Sequence, residues 1–227
     1  MIKNPFRDLT KFELTLWICS IFLVTLSFLI SVEKNPLTLI ASLIGVTALI
    51  FTAKGYLLGQ ILIVVFSVFY GIISLRQQYY GEMITYLGMS SPIAILAAVS
   101  WFKNPYKNSR EVTVSKPSKK QLALMFSLSA IVTIIFYFIL RALGNASLIV
   151  STFSVTTSFI AAYLTFLRSP YYALGYALND IVLIILWSIA AISAPENLPM
   201  LICFAVFLVN DLYGFINWCR MEKRQRE

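Results

Sequence analysis

The stretches NDIVLIILW (Asn179–Trp187) and NDLYGFINW (Asn210–Trp218) repeat one pattern: Asn, Asp, six residues, Trp. Both lie inside apolar runs, where a carboxylate at the centre of a bilayer costs on the order of 3 kcal/mol. Residues that expensive face a cavity or a polar partner, so the repeat raises two questions: what surrounds these runs, and what the Asp residues face. The surroundings answer the first. With 59% hydrophobic residues, 12% charged residues and a mean hydropathy of +0.81, the chain lies well outside the balance of a soluble domain.

Working outward from the two stretches, the chain divides into eight apolar segments near the ~20 residues that cross a hydrocarbon core: 12–31, 37–53, 56–75, 83–101, 121–142, 145–167, 171–193 and 198–219. Lys54 and Gly55 alone separate the second from the third. Lys3, Arg7 and Lys11 precede the first run, as in a secretory signal, but the run is long for one and has no Ala-x-Ala-like site, so it is read as a retained helix.

Fifteen of the 18 Lys and Arg fall on one side if the N-terminus is cytoplasmic; the outer loops keep Lys34, Arg76 and Arg141. That asymmetry orients the chain in a cytoplasmic membrane with both termini inside. It also requires an even number of spans, because the basic stretch FKNPYKNSREVTVSKPSKKQ (Phe102–Gln121) and the basic tail must share a side. The charge of +8 therefore calls for no nucleic acid.

Other chemistry is narrowed by absence. There is no histidine, and Cys19, Cys203 and Cys219 are odd in number and lack metal-site spacing, so neither a metal nor another cofactor is expected. Walker, GxGxxG and GxSxG motifs are missing, and neither Asp lies in a GxGD-like context, so an enzyme is not expected.

The halves show a faint likeness. GVTALIFTAKGYLLGQ (Gly45–Gln60) resembles SVTTSFIAAYLTFLRSPYYALGY (Ser154–Tyr176), and Trp101-Phe102-Lys103 parallels Trp218-Cys219-Arg220. Segments 2–4 and 6–8 both start outside and end inside. They would be parallel repeats joined by one linker helix, an architecture of transporters with a midplane site. The chain then reads as an extra N-terminal helix (1–35), a first triad (36–101), a cytoplasmic linker (102–120), a linker helix (121–142), a second triad (143–219) and a basic tail (220–227).

At the helical rise Asn179 lies ~12 Å from the start of its segment and Asn210 ~18 Å from the start of its own, so both pairs sit near mid-depth. Asp180 with Trp187, and Asp211 with Trp218, share a helix face. Two matched carboxylates suit a substrate cavity, against the plainer reading that they bond helices together as polar glue. Asn179, Asp180, Trp187, Asn210 and Asp211 are expected to line one cavity. Trp218, beside Arg220, is expected in the interfacial aromatic belt.

The runs RSPYYALGYALNDIVLIILW (Arg168–Trp187) and CFAVFLVNDLYGFINWCRMEKRQ (Cys203–Gln225) resemble the last two helices of the Pnu-type vitamin and nucleoside transporters, whose best known members carry nicotinamide riboside. The resemblance spans Pro36 to Arg220. It implies a three-plus-one-plus-three helix bundle related to the SWEET sugar transporters, a homotrimer among membrane lipids, and facilitated uptake sustained by a cytoplasmic kinase that phosphorylates the nucleoside. One feature departs from the family pattern: the penultimate helix has Tyr172 and Gly175 where a Trp-x-x-Trp pair is common. Tyr172 and Tyr176 stand in as stacking rings, and thiamine or deoxynucleosides remain alternative substrates. Nicotinamide riboside is a pyridinium cation on a ribose, which a midplane carboxylate, asparagine amides and an aromatic face would suit. Gln60 and Tyr213 are further candidates. An ion-coupled carrier and the binding subunit of an ATP-driven importer remain competing readings.

Overall fold

The computed structural model describes residues 4–31, 35–107, 109–145 and 147–227. Among them are eight helices long and apolar enough to span a membrane: α1 Lys11–Ile30, α2 Pro36–Ala53, α3 Leu57–Arg76, α4 Tyr80–Lys103, α5 Lys119–Ala142, α6 Leu148–Phe166, α7 Tyr172–Ser193 and α8 Leu198–Arg226. Each matches an apolar segment of the sequence to within a few residues, α8 running seven further into the basic tail. Lys3 and Lys34 of the charge tally lie outside the described residues. Strand-like pairing among the described residues is confined to two isolated bridges of the linker, Tyr56 with Glu111 and Pro105 with Val112.

Helix ends follow local chemistry. Thr10 with Glu13, and Ser118 with Gln121, form capping boxes that satisfy the first amides of α1 and α5. In α4 the turn Thr85–Ser90 is π-helical. It immediately precedes Ser91-Pro92, where the proline supplies no N–H and its ring crowds the carbonyl four residues back.

Both chain ends meet the linker on one face of the bundle, called here the linker face. Asp8 pairs with Arg110 at 3.0 Å, Arg224 pairs with Glu111, and Gln225 Oε1 accepts from the Val114 amide at 2.8 Å. The opposite, far face carries the α3–α4 and α7–α8 turns.

The core consists of two triads. In the first, α2 packs on α3 and α3 on α4; in the second, α6 packs on α7 and α7 on α8; the triads meet through α2 with α8 and α4 with α6. This is the set of pairings that two parallel repeats related by a twofold would make. Two indole bonds are alike in the two triads. Trp101 Nε1 of α4 donates to the Thr165 carbonyl of α6 at 3.0 Å, and Trp218 Nε1 of α8 donates to the Thr52 carbonyl of α2 at 2.9 Å. Gly55 and Arg168 close α2 and α6 with left-handed φ values of 68° and 59°. Their carbonyls accept from the linker amides of Val112 and Ser115, each at 2.9 Å. Gly59 and Gly175 let α3 and α7 approach their neighbours closely: a Cβ on the first would lie 2.3 Å from Thr52 Oγ1, and on the second 2.9 Å from Ala161 Cα.

Trp218 is therefore not an interfacial belt residue. It is fully buried, because the Thr52 carbonyl draws its indole inward. The two remaining helices sit outside the triads. α5 buries only Met125, Ser129 and Leu140, which leaves its apolar surface for lipid. α1 docks on α2 and α8 through buried Glu13, whose carboxylate accepts from Lys54 Nζ at 2.9 Å and from Tyr213 at 2.9 Å.

Candidate functional site

α7 and α8 run antiparallel in contact, and at mid-depth they bring Asp180 and Asp211 together. Both are at least 96% buried and lie within hydrogen-bonding reach of one another. The Asp180 Oδ2 atom is buried with no partner. Two carboxylates in contact repel strongly where water is excluded, and a cation or a shared proton between them removes the repulsion.

They form one wall of a narrow cavity of about 40 Å³ enclosed by α2, α3, α4, α6, α7 and α8. By the ~10–15 Å³ each needs, it holds about three waters. Gln60, Tyr172, Tyr176 and Asn179 join Asp180 and Asp211 in its lining. Leu49, Ile63, Phe66 and Phe207 supply apolar wall, and Thr52, Ser67, Tyr86, Ser90 and Ser158 supply hydroxyls. Asn179 is held from α6: its Oδ1 lies 2.8 Å from Thr157 Oγ1 and 3.0 Å from Ser158 Oγ. Tyr86 of α4 lines the same cavity. The cavity thus presents a pair of acids, amides, hydroxyls and phenol rings.

Aromatic layers bound the cavity along the membrane normal. Toward the far face, Tyr70 packs edge-on against Tyr86 at 4.3 Å and Phe204 at 5.4 Å. Toward the linker face, Tyr172 packs on Trp218 at 4.8 Å.

Three expected residues lie elsewhere. Trp187 is fully buried in the far-face layer, where its Nε1 donates to Tyr70 Oη at 2.9 Å. Asn210 turns to α1, donating to Ser20 Oγ at 3.0 Å and to the Val206 carbonyl at 2.9 Å. Tyr213 points toward the linker face and Glu13. The expectation of one cavity lined by both Asn-Asp pairs and Trp187 is corrected accordingly: Asn179, Asp180 and Asp211 share it. The two copies of the motif lie on antiparallel helices, so equal spacing sends Trp187 to the far face and Trp218 to the linker face.

Sequence reasoning missed the hydroxyl wall and Glu82. The α6 contribution, Ser158 in the lining and Thr157 on Asn179, was readable in STFSVTTS (Ser151–Ser158), whose hydroxyls at 151, 154, 157 and 158 fall on one helical face. Glu82 was hidden by starting segment 4 at residue 83; α4 begins at Tyr80 and buries it fully. Among the described residues, no cluster of His, Cys, Asp and Glu could hold a metal.

Comparison with known proteins agrees with this architecture. A solved structure described as the crystal structure of the vitamin B3 transporter PnuC superimposes with a TM-score of 0.83 at 25% identity, over 96% of this chain and 94% of that one. A protein of Neisseria mucosa named nicotinamide riboside transporter PnuC is 26% identical over 98% of this chain and 86% of its own length. One of the same name in Haemophilus influenzae is 21% identical over 98% of this chain and 96% of its own. The profile of the family described as nicotinamide mononucleotide transporter matches residues 35–220, and the chain belongs to that family.

Proposed function

We propose that this protein carries nicotinamide riboside across a bacterial cytoplasmic membrane. The linker face and both termini would be cytoplasmic, as the Lys and Arg distribution favours. The observation that carries the substrate is the contact of Asp180 with Asp211 in a cavity lined by Tyr172 and Tyr176. A pyridinium ring between those phenols would relieve the repulsion of the acids, with a cation–π gain of ~0.5–2 kcal/mol. Asn179, Gln60 and the hydroxyls would meet ribose and carboxamide groups.

Transport follows from alternating access: the triads, acting as parallel repeats, part first the far-face rings and then the linker-face rings. The cavity of about 40 Å³ is well below the ~300 Å³ or more of ordinary ligand sites, so each passage requires the helices to separate. Movement would be facilitated rather than ion-driven, with a cytoplasmic kinase removing free nucleoside by phosphorylation, and the protein would assemble as a homotrimer.

The test is calorimetric binding to the purified protein. Asp180→Asn should weaken nicotinamide riboside binding about tenfold and leave its reduced, uncharged dihydropyridine form within twofold. Equal loss for both forms would reject charge balance, and absence of binding to the unaltered protein would reject the substrate. Tyr172 and Tyr176, in place of a Trp pair, favour a second reading in which another vitamin such as thiamine is the cargo. Competition in the same assay separates the two.

A further inference from the structure

One buried acid is not used by the cavity. Glu82, in the first turn of α4, is fully buried. Its Oε2 accepts from Ser154 Oγ of α6 at 3.2 Å, while Oε1 is buried with no partner, as is Thr85 Oγ1 one turn on. No Lys or Arg pairs with it among the described residues. Tyr79 and Tyr86 flank it in sequence, Tyr70 of α3 packs on Tyr86 at 4.3 Å, and all three rings lie within electrostatic reach of its carboxyl. Ser154 Oγ also lies 3.4 Å from Asn179 Oδ1, so one hydroxyl separates Glu82 from the cavity wall.

As a clamp between α4 and α6, a glutamine would serve as well, and without an open carboxylate oxygen. An acid left half-partnered among aromatic rings, on the path between a cavity and the membrane surface, has the chemistry of a site for a flat organic cation: charge from the carboxylate, quadrupole attraction from the rings. We infer that Glu82, with Tyr70, Tyr79 and Tyr86, is a second station for the cationic ring of the cargo, on the far-face side of the central cavity and engaged as the ring layer parts. This rests on the reading that the cargo is a pyridinium nucleoside.

The station acts during entry, so its signature is kinetic and charge-selective. Uptake of nicotinamide riboside and of its uncharged reduced form is measured in proteoliposomes for the unaltered protein, Glu82→Gln and Glu82→Asp. Glu82→Gln should lower kcat/KM for the cation about tenfold and leave the neutral form within twofold, and Glu82→Asp should restore most of the cation rate. Equal loss for both forms assigns Glu82 to packing and overturns the station, as does unchanged uptake of both. If Glu82→Gln is not recovered folded, Tyr79→Leu carries the same readout: the cation-to-neutral ratio falls about threefold, or the station is rejected. Absence of uptake by the unaltered protein overturns the transport reading and the station together, whereas a normal Asp180 response with an unresponsive Glu82 overturns the station alone.

Discussion

The rings of Trp101 and Trp218 meet with centroids 5.3 Å apart and planes inclined at 47°, each indole tied by its N–H to the opposite triad. The pair occupies the place where a twofold between the triads would pass, directly beneath Tyr172 and the cavity. Trp101→Phe and Trp218→Phe keep an apolar ring and lose the N–H donor. Each should cost about 1 kcal/mol and lower the midpoint of thermal unfolding in detergent by about 2–4 °C. Similar losses are expected because the bonds are equivalent; a Trp218→Phe protein as stable as the parent would contradict that equivalence.

Asp180→Asn and Asp211→Asn should separate binding from stability. Each removes like-charge repulsion while keeping hydrogen-bonding capacity, so the substrate-free protein should be as stable as the parent or up to about 1 kcal/mol more so. Calorimetric affinity falls in the same variants. A drop of several degrees in the unfolding midpoint would make the pair a clamp between α7 and α8 instead.

Trp187→Phe tests the correction to the site. The substitution leaves Tyr70 Oη without its indole donor, at about 1 kcal/mol, and should leave equilibrium affinity for nicotinamide riboside within twofold. Trp187→Ala, which empties a fully buried volume, should cost about 3–5 kcal/mol. A tenfold loss of affinity in Trp187→Phe would return this ring to the binding surface.

The eight helices were legible because hydropathy is a property of runs, and a run of twenty apolar residues has few alternatives to a span. Depth was legible too, since the helical rise converts sequence position into distance: Asp180 and Asp211 do meet. Direction was less so. Which neighbour a residue faces depends on packing between helices, and a helical wheel drawn for one helix cannot say that Asn210 turns to α1 while Asn179 turns to α6. Glu82 was lost at a boundary, where two or three residues decide whether an acid lies in water or in protein.

The Glu13–Lys54 pair predicts how α1 is attached. Glu13→Ala leaves Lys54 without its buried partner and should cost about 3–5 kcal/mol. Adding Lys54→Met should recover part of that loss, since no buried ammonium then lacks its counter-charge while the space vacated by the Glu13 side chain stays unfilled. Unfolding midpoints of the single and double variants check this, and no recovery in the double variant would show that the carboxylate serves Tyr213 and Thr10 alone.

Orientation is testable through cysteine. Cys219 is exposed near the linker face, Cys203 is buried, and Cys19 is exposed in α1 roughly 12 Å from its start, among lipid. A membrane-impermeant maleimide should label Cys219 in inside-out vesicles and leave all three unlabelled in intact cells. Labelling of Cys219 in intact cells would invert the assigned topology.

The π-turn of α4 sets a phase. Glu82 and Trp101 are 19 residues apart, and in an uninterrupted α-helix, at about 100° per residue, their side chains would point about 100° from one another. One residue absorbed by the bulge reduces the interval to about 18 effective steps, five whole turns. Both side chains then face the bundle interior, the acid near one membrane surface and the indole near the other. Deleting the exposed Gly88 from this turn would remove no buried side chain and would still swing one end of α4 toward lipid, so the reading frame of this helix, as much as its composition, determines whether both ends of the passage are furnished.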